Sequence, residues 1–254
     1  MPRRSSSPAE PFFFAGSNSG CLLLHGLTGT AEEMRYLGSR LHDSNGFSVL
    51  GVLMAGHGSG PEAFDRHGWR DWYRSAQEGL ASLRNHCSRV FVVGFSMGGL
   101  IALLLALDHE QRIEGLTLLA TPLFASRIKA VAAAGLWRLP GVRARIRASS
   151  GRLDPGTAPA RPDLTPAQAS FAQLKWISRR RAAGLRRPAL VVHSRGDPSV
   201  PWQNALALAA LLGPACRKTL LLRRSGHILP LDVDRDLVAR ETGAFFESLP
   251  AWRA

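Results

Sequence analysis

The sequence predicts an α/β fold, a mostly parallel sheet whose strands are joined by crossover helices. Three observations predict it. Short apolar runs bounded by turn residues alternate with longer stretches of helical pattern. The runs are continuously apolar, as in strands covered on both faces. At 254 residues, 45% hydrophobic and 20% charged, the chain suits one large domain with an insertion and is short for two.

Taken in order, residues 21–24 form a first strand that ends at His25-Gly26, and residues 47–53 a second that ends at Ala55-Gly56-His57-Gly58. A third, 89–93, ends at Gly94-Phe95-Ser96. Each stops at a glycine-rich turn, where the backbone bends without a side chain in the way. Further strands are expected at 115–120, 189–193 and 219–222, with helices at 31–43, 70–86, 98–109, 203–212 and 233–248. No internal repeat is present.

Composition shifts between residues 122 and 187. That segment holds fourteen basic residues and only Asp154 and Asp163 as acids, so nearly all of the net charge of +13 sits in one insertion. Prolines at 140, 155, 159, 162 and 166 break it into short pieces around a 154–161 loop. Excess positive charge favours nucleic acid, anionic membranes or acidic ligands. No nucleic-acid motif or interleaved aromatic pattern accompanies it, so nucleic acid is not an expected partner.

Cys21, Cys87 and Cys216 are scattered, without the spacing of a zinc site, and read as reduced, buried thiols. The apolar stretch at 12–15 is shorter than a signal-peptide core of about 7 to 15 residues. The longest apolar run, 100–107, falls well below the roughly 20 residues that span a bilayer. A soluble, cytoplasmic protein is expected.

Gly94-Phe95-Ser96-Met97-Gly98 fits G-x-S-x-G, and it follows an apolar strand and opens an apolar helix. A sharp strand-to-helix turn of this kind holds its serine strained and exposed at the carboxyl end of the sheet. A free hydroxyl needs a base within hydrogen-bond reach to act as a nucleophile. His227, in Ser225-Gly226-His227 after the last strand and before the final helix, is the best placed of eight histidines. Asp197 follows the 189–193 strand and would fix the imidazole tautomer. It could instead merely cap the next helix. Asp232, Asp234 and Asp236 are alternatives, read as solvated near the final helix. The backbone amides of Leu27, in His25-Gly26-Leu27-Thr28-Gly29, and of Met97 are the candidate oxyanion hole. His25 and His57 read as structural.

These residues, with Gly56-His57-Gly58 and the Trp69 and Trp72 pair, resemble the bacterial carboxylesterase and monoacylglycerol-lipase-like branch of the α/β hydrolases over residues 20–250. The resemblance implies an eight-stranded-type core, helices on both sheet faces, and a small helical lid inserted after the sixth strand, here 122–187. It also implies hydrolysis of short- to medium-chain carboxylic esters or monoacylglycerols through an acyl-enzyme on Ser96, Asp197 and His227, with no cofactor. Thioesterase, lactonase and peptidase chemistry would use the same triad, and a non-catalytic binding relative would be expected to have lost one of its members. The strongly basic lid departs from the family. Within it, Ile128, Val131, Ala132, Leu136 and Trp137 would form an apolar helical face edged by Arg127, Lys129 and Arg138. Such a face either covers the active site or lies on an anionic membrane surface.

Overall fold

The computed structural model describes residues 9–124 and 165–250. Among them seven strands form one sheet: β1 (Phe12–Phe14), β2 (Ser19–Leu24), β3 (Ser48–Val52), β4 (Arg89–Phe95), β5 (Gly115–Leu119), β6 (Ala189–Ser194) and β7 (Cys216–Leu222). Their order is β1-β3-β2-β4-β5-β6-β7, with β1 antiparallel to β3 and all other pairs parallel.

Alternation along the central strands divides the interior into two cores. Leu22, Leu24, Val90, Val92, Leu116 and Leu118 face one side. There they meet α3 (Trp69–Arg84), α4 (Met97–Asp108), α5 (Pro166–Arg181) and α6 (Gln203–Leu212). Cys21, Leu23, Phe91, Val93 and Leu119 face the other, against α1 (Glu32–Asn45) and α7 (Arg235–Glu247). Side chains on a strand point alternately to opposite faces, so a continuously apolar run serves both cores. The helix α4 is buried from Met97 to Ala106, as one apolar on every side must be. A short α2 (Pro61–Asp65) completes the described helices.

Four features differ from expectation. The three-residue β1 pairs on the open edge of β3, where one apolar run too short for a pattern gave no strand signal. Counted in the described residues, five strands precede the insertion, where the resemblance implies six. In β7 only Leu222 is buried, and Arg217, Lys218 and Thr219 are exposed, since an edge strand has one neighbour; charges there discourage pairing with another chain. Finally, α5 is a 16-residue helix inside the segment that its prolines appeared to fragment. Pro166 sits in its first turn, where no N–H is needed, and Thr165 and Gln168 form a reciprocal capping box. No helix of the described residues is long and apolar enough to cross a membrane.

Candidate active site

Ser96 stands between β4 and α4 with φ 52° and ψ −116°. A non-glycine residue with such a φ costs roughly 1–3 kcal/mol and persists only where its surroundings over-determine it. Here close backbone approach does so. A Cβ on Gly94 would collide with the Gly98 carbonyl, and one on Gly98 with the Leu24 carbonyl. The Ser96 amide donates to Leu119 O at 2.7 Å, joining the turn to β5.

His227 lies in the loop between β7 and α7. Its Nδ1 is 2.7 Å from Asp197 Oδ2 and its Nε2 is 3.1 Å from Ser96 Oγ. A carboxylate only accepts, so Nδ1 carries the proton; the Nε2 lone pair of the neutral ring then receives the Ser96 hydroxyl. Asp197 is buried, and its Oδ1 accepts the amides of Ser199 and Val200, each at 2.8 Å. Oδ2 also meets His193 Nε2 at 3.1 Å. Burial alone would raise the Asp197 pKa. The hydrogen bonds from His193, His227 and the Val200 amide, with the attraction of His227, outweigh it and hold the carboxyl well below the usual range.

Side chains brace the two loops, Ser194 by bridging them and the others from within or from α1. Ser194 Oγ donates to Ser225 O while accepting Gly196 N–H. Asp232 accepts the Gly226 amide at 2.7 Å, and Asp234 binds Arg224 and Ser225. Asp236 accepts Tyr36 OH at 2.6 Å. Asp232 and Asp234 thus shape the loop that presents His227. Asp234 is buried, contrary to the solvated reading, because Ser225 and Arg224 supply the partners that burial demands.

Met97 is the first residue of α4, so no preceding carbonyl exists for its amide to reach within the helix. Leu27 is held by its carbonyl, which lies 2.8 Å from His57 Nε2. Beside it, His25 Nδ1 donates to Gly26 O at 2.8 Å and His25 Nε2 accepts the Met54 amide at 3.1 Å. Burial, helped by neighbouring His57, pushes the His25 pKa down to about 3. Burial also lowers that of His57. His25 is therefore neutral, and the two rings staple together the loops after β2 and β3.

Ser96 and His227 open onto a cavity of about 380 Å³. Phe95, Phe124, Phe171, Val200, Pro201 and Ile228 give it apolar walls; Thr28, Glu33, Lys175 and Ser199 are its polar lining. Phe124, at the root of the insertion, has its amide and carbonyl clamped by the side-chain amide of buried Asn204, at 2.6 and 3.0 Å. Phe171 and Lys175 lie one turn apart on α5, with Lys175 Nζ 4.7 Å from the Phe171 ring centre. At one end of α5, Ser170 Oγ accepts the Trp69 amide at 2.6 Å; at the other, Arg181 meets Asp108 at 2.6 Å, and Asp108 also accepts Tyr73 OH.

The structure thus brings Ser96, Asp197 and His227 into one hydrogen-bonded chain and places Leu27 beside the same cavity. The apolar face at Ile128 to Trp137 lies outside the described residues. Sequence reasoning missed His193, which looked like an ordinary strand residue, and Glu33, which looked like an acid of a helix's first turn.

The model of the alpha/beta hydrolase family matches residues 21–241. The chain belongs to that family, and it is a hydrolase of the esterase type. It is 33% identical over 246 residues to a thermostable monoacylglycerol lipase of Bacillus sp. (strain H-257), covering 94% of this chain and 95% of that protein. It is 25% identical to a carboxylesterase of Bacillus subtilis (strain 168), with 94% and 97% covered. Of solved structures, a metagenome-derived lipolytic enzyme superposes with a TM-score of 0.74 at 24% identity, covering 94% and 98% of the two chains. The monoacylglycerol lipase of Paleococcus ferrophilus superposes with 0.70 at 17% identity, again over 94% and 98%.

Proposed function

We propose that the chain is a serine carboxylesterase that hydrolyses short- to medium-chain carboxylic esters or monoacylglycerols through an acyl-enzyme. The observation that carries this reading is the relay from Ser96 Oγ through His227 to Asp197 at 3.1 and 2.7 Å, opening onto a cavity with apolar walls at Phe124, Phe171, Val200, Pro201 and Ile228. Ser96 attacks the ester carbonyl as its proton passes to His227 Nε2. Asp197, kept ionised by its four hydrogen bonds, stabilises the imidazolium. The oxyanion is received by the amides of Leu27 and Met97, each such donor contributing about 3 to 4 kcal/mol to the transition state. Collapse breaks the bond to the alcohol oxygen, which takes the proton back from Nε2. Water, deprotonated by the same nitrogen, then releases the acid.

Residues 122–187 serve in this reading as the lid, with Pro122, Phe124 and α5 among the parts that line the cavity, and the basic lid makes weak contact with anionic membranes. The similarity to the Bacillus lipase and carboxylesterase supports the substrate class. Purified protein is assayed on p-nitrophenyl esters of increasing acyl length, alongside Ser96→Ala and a serine-reactive phosphonate followed by intact mass. The expected result is turnover that peaks at short to medium acyl chains, falls by about 10⁵-fold in Ser96→Ala, and is blocked by one adduct on wild type alone. Folded wild type with neither turnover nor adduct would refute the reading.

A further inference from the structure

Glu33 begins in the first turn of α1, yet its side chain lines the cavity that holds Ser96 and His227. Its Oε2 accepts the Gly26 amide at 3.2 Å, a long bond. Among the described residues Oε1 has no hydrogen bond. Space for the carboxyl group is made by Gly29, where any Cβ would overlap it.

A carboxylate is a costly wall for an ester site. Half-burying it forfeits hydration unless its lone pairs find donors. Its charge, next to the oxyanion loop, also opposes the negative charge that develops on the carbonyl. Holding Gly26 through one long bond is weak compensation for both effects. A substrate that brings its own hydroxyl donors would supply what is missing.

The placement says which part of the substrate that is. Gly26 lies between the Glu33 carboxyl group and the Phe95 ring, whose centre is 5.1 Å from that of His227, so Glu33 lines the cavity on the side of the histidine. His227 is where the departing alcohol collects its proton. Glu33 and Thr28 come from α1 and the loop after β2. The apolar lining suited to an acyl chain comes from the lid root, α5 and the loops after β6 and β7: Phe124, Phe171, Val200, Pro201 and Ile228.

We infer that Glu33 accepts hydrogen bonds from hydroxyl groups of the leaving alcohol, so that the site selects esters of polyols over esters of simple alcohols. This inference rests on the esterase reading above.

The test compares glyceryl monooctanoate with propyl octanoate, which share acyl chain and alcohol carbon skeleton and differ by two hydroxyls. Release of octanoate gives kcat/KM for wild type, Glu33→Ala and Glu33→Gln. Wild type is expected to favour the glyceryl ester about tenfold, the effect of one hydrogen bond to a charged acceptor in a partly wet site. The ratio falls to about one in Glu33→Ala, and Glu33→Gln, which keeps a carbonyl acceptor, retains part of the preference. Should Glu33→Ala fail to fold, Glu33→Ser takes its place. If Glu33 only holds the Gly26 loop, both esters slow equally and the ratio stays fixed, which overturns the inference; so does a wild-type ratio near one. Wild type that hydrolyses neither ester brings down the esterase reading and this inference with it.

Discussion

The nucleophile turn and the acid–base loops meet at one cavity but are built by opposite means. At Ser96 the conformation comes from missing side chains: Gly94 and Gly98 let β4, α4 and the end of β2 approach within backbone contact. Around Asp197 and His227 it comes from added ones: Ser194 ties together segments 31 residues apart, His193 holds Asp197, and Asp232 and Asp234 pin the loop that carries His227. A turn made by sterics is local and unforgiving. Loops made by hydrogen bonds divide their stability among several partners, so single losses should be graded.

Breaking the relay itself gives the largest effect. Asp197→Asn is expected to fold normally yet lose about 10⁴-fold in kcat, since an amide can turn its NH₂ toward Nδ1 and favour the wrong imidazole tautomer. Unchanged ester turnover would remove Asp197 from its proposed role. Next comes the steric turn: Gly98→Ala drives a methyl into the Leu24 carbonyl, and urea unfolding should show a loss of about 3 kcal/mol together with most activity. A near-neutral result would mean that the turn relaxes and that the contrast between the two regions is overstated.

The histidine staples give a pH signature. His25 has its pKa pushed down to about 3 in the folded state, against about 6.5 when unfolded. The unfolded chain therefore binds the extra proton, so the stability is present above pH 6.5 and drains away as pH falls toward 3. Between pH 7.5 and 5 this one group should remove about 2 kcal/mol. Unfolding free energies from urea titrations at the two values should differ by that much less in His25→Asn than in wild type.

The smallest effect sharpens the comparison most. His193 is buried, and its Nε2 faces both Asp197 Oδ2 and Val200 O, two acceptors, so that nitrogen carries the proton and orients the carboxylate. His193→Met should lower kcat about tenfold with KM unchanged, the share of one of four hydrogen bonds to a charged group. His193→Gln, which can place an N–H near the same point, should recover most of it. Equal kcat in wild type and His193→Met would leave the histidine a packing residue only.

The strand runs at β2, β4, β5 and β6 were legible because each is continuously apolar and stops at a turn signal, and the turn at Ser96 because its glycines are neighbours in sequence. Missing β1 and misreading β7 share a cause: edge strands are short or half solvated, and carry little pattern. The helix α5 did announce itself in Thr165-Pro166 and Gln168, but five prolines drew attention to breaks and away from a proline in a first turn.

By itself the sequence determined the sheet, the turn at Ser96 and the order in which Ser96, Asp197 and His227 occur, since each follows from periodicity or from contacts between near neighbours. Tertiary structure alone decided which histidine reaches which oxygen, that His193 shares a carboxylate with His227, and that Glu33 turns from a helix's first turn into the cavity. Those facts depend on distances between residues far apart in the chain, and such distances exist only once hydrophobic burial has closed the sheet and helices around them.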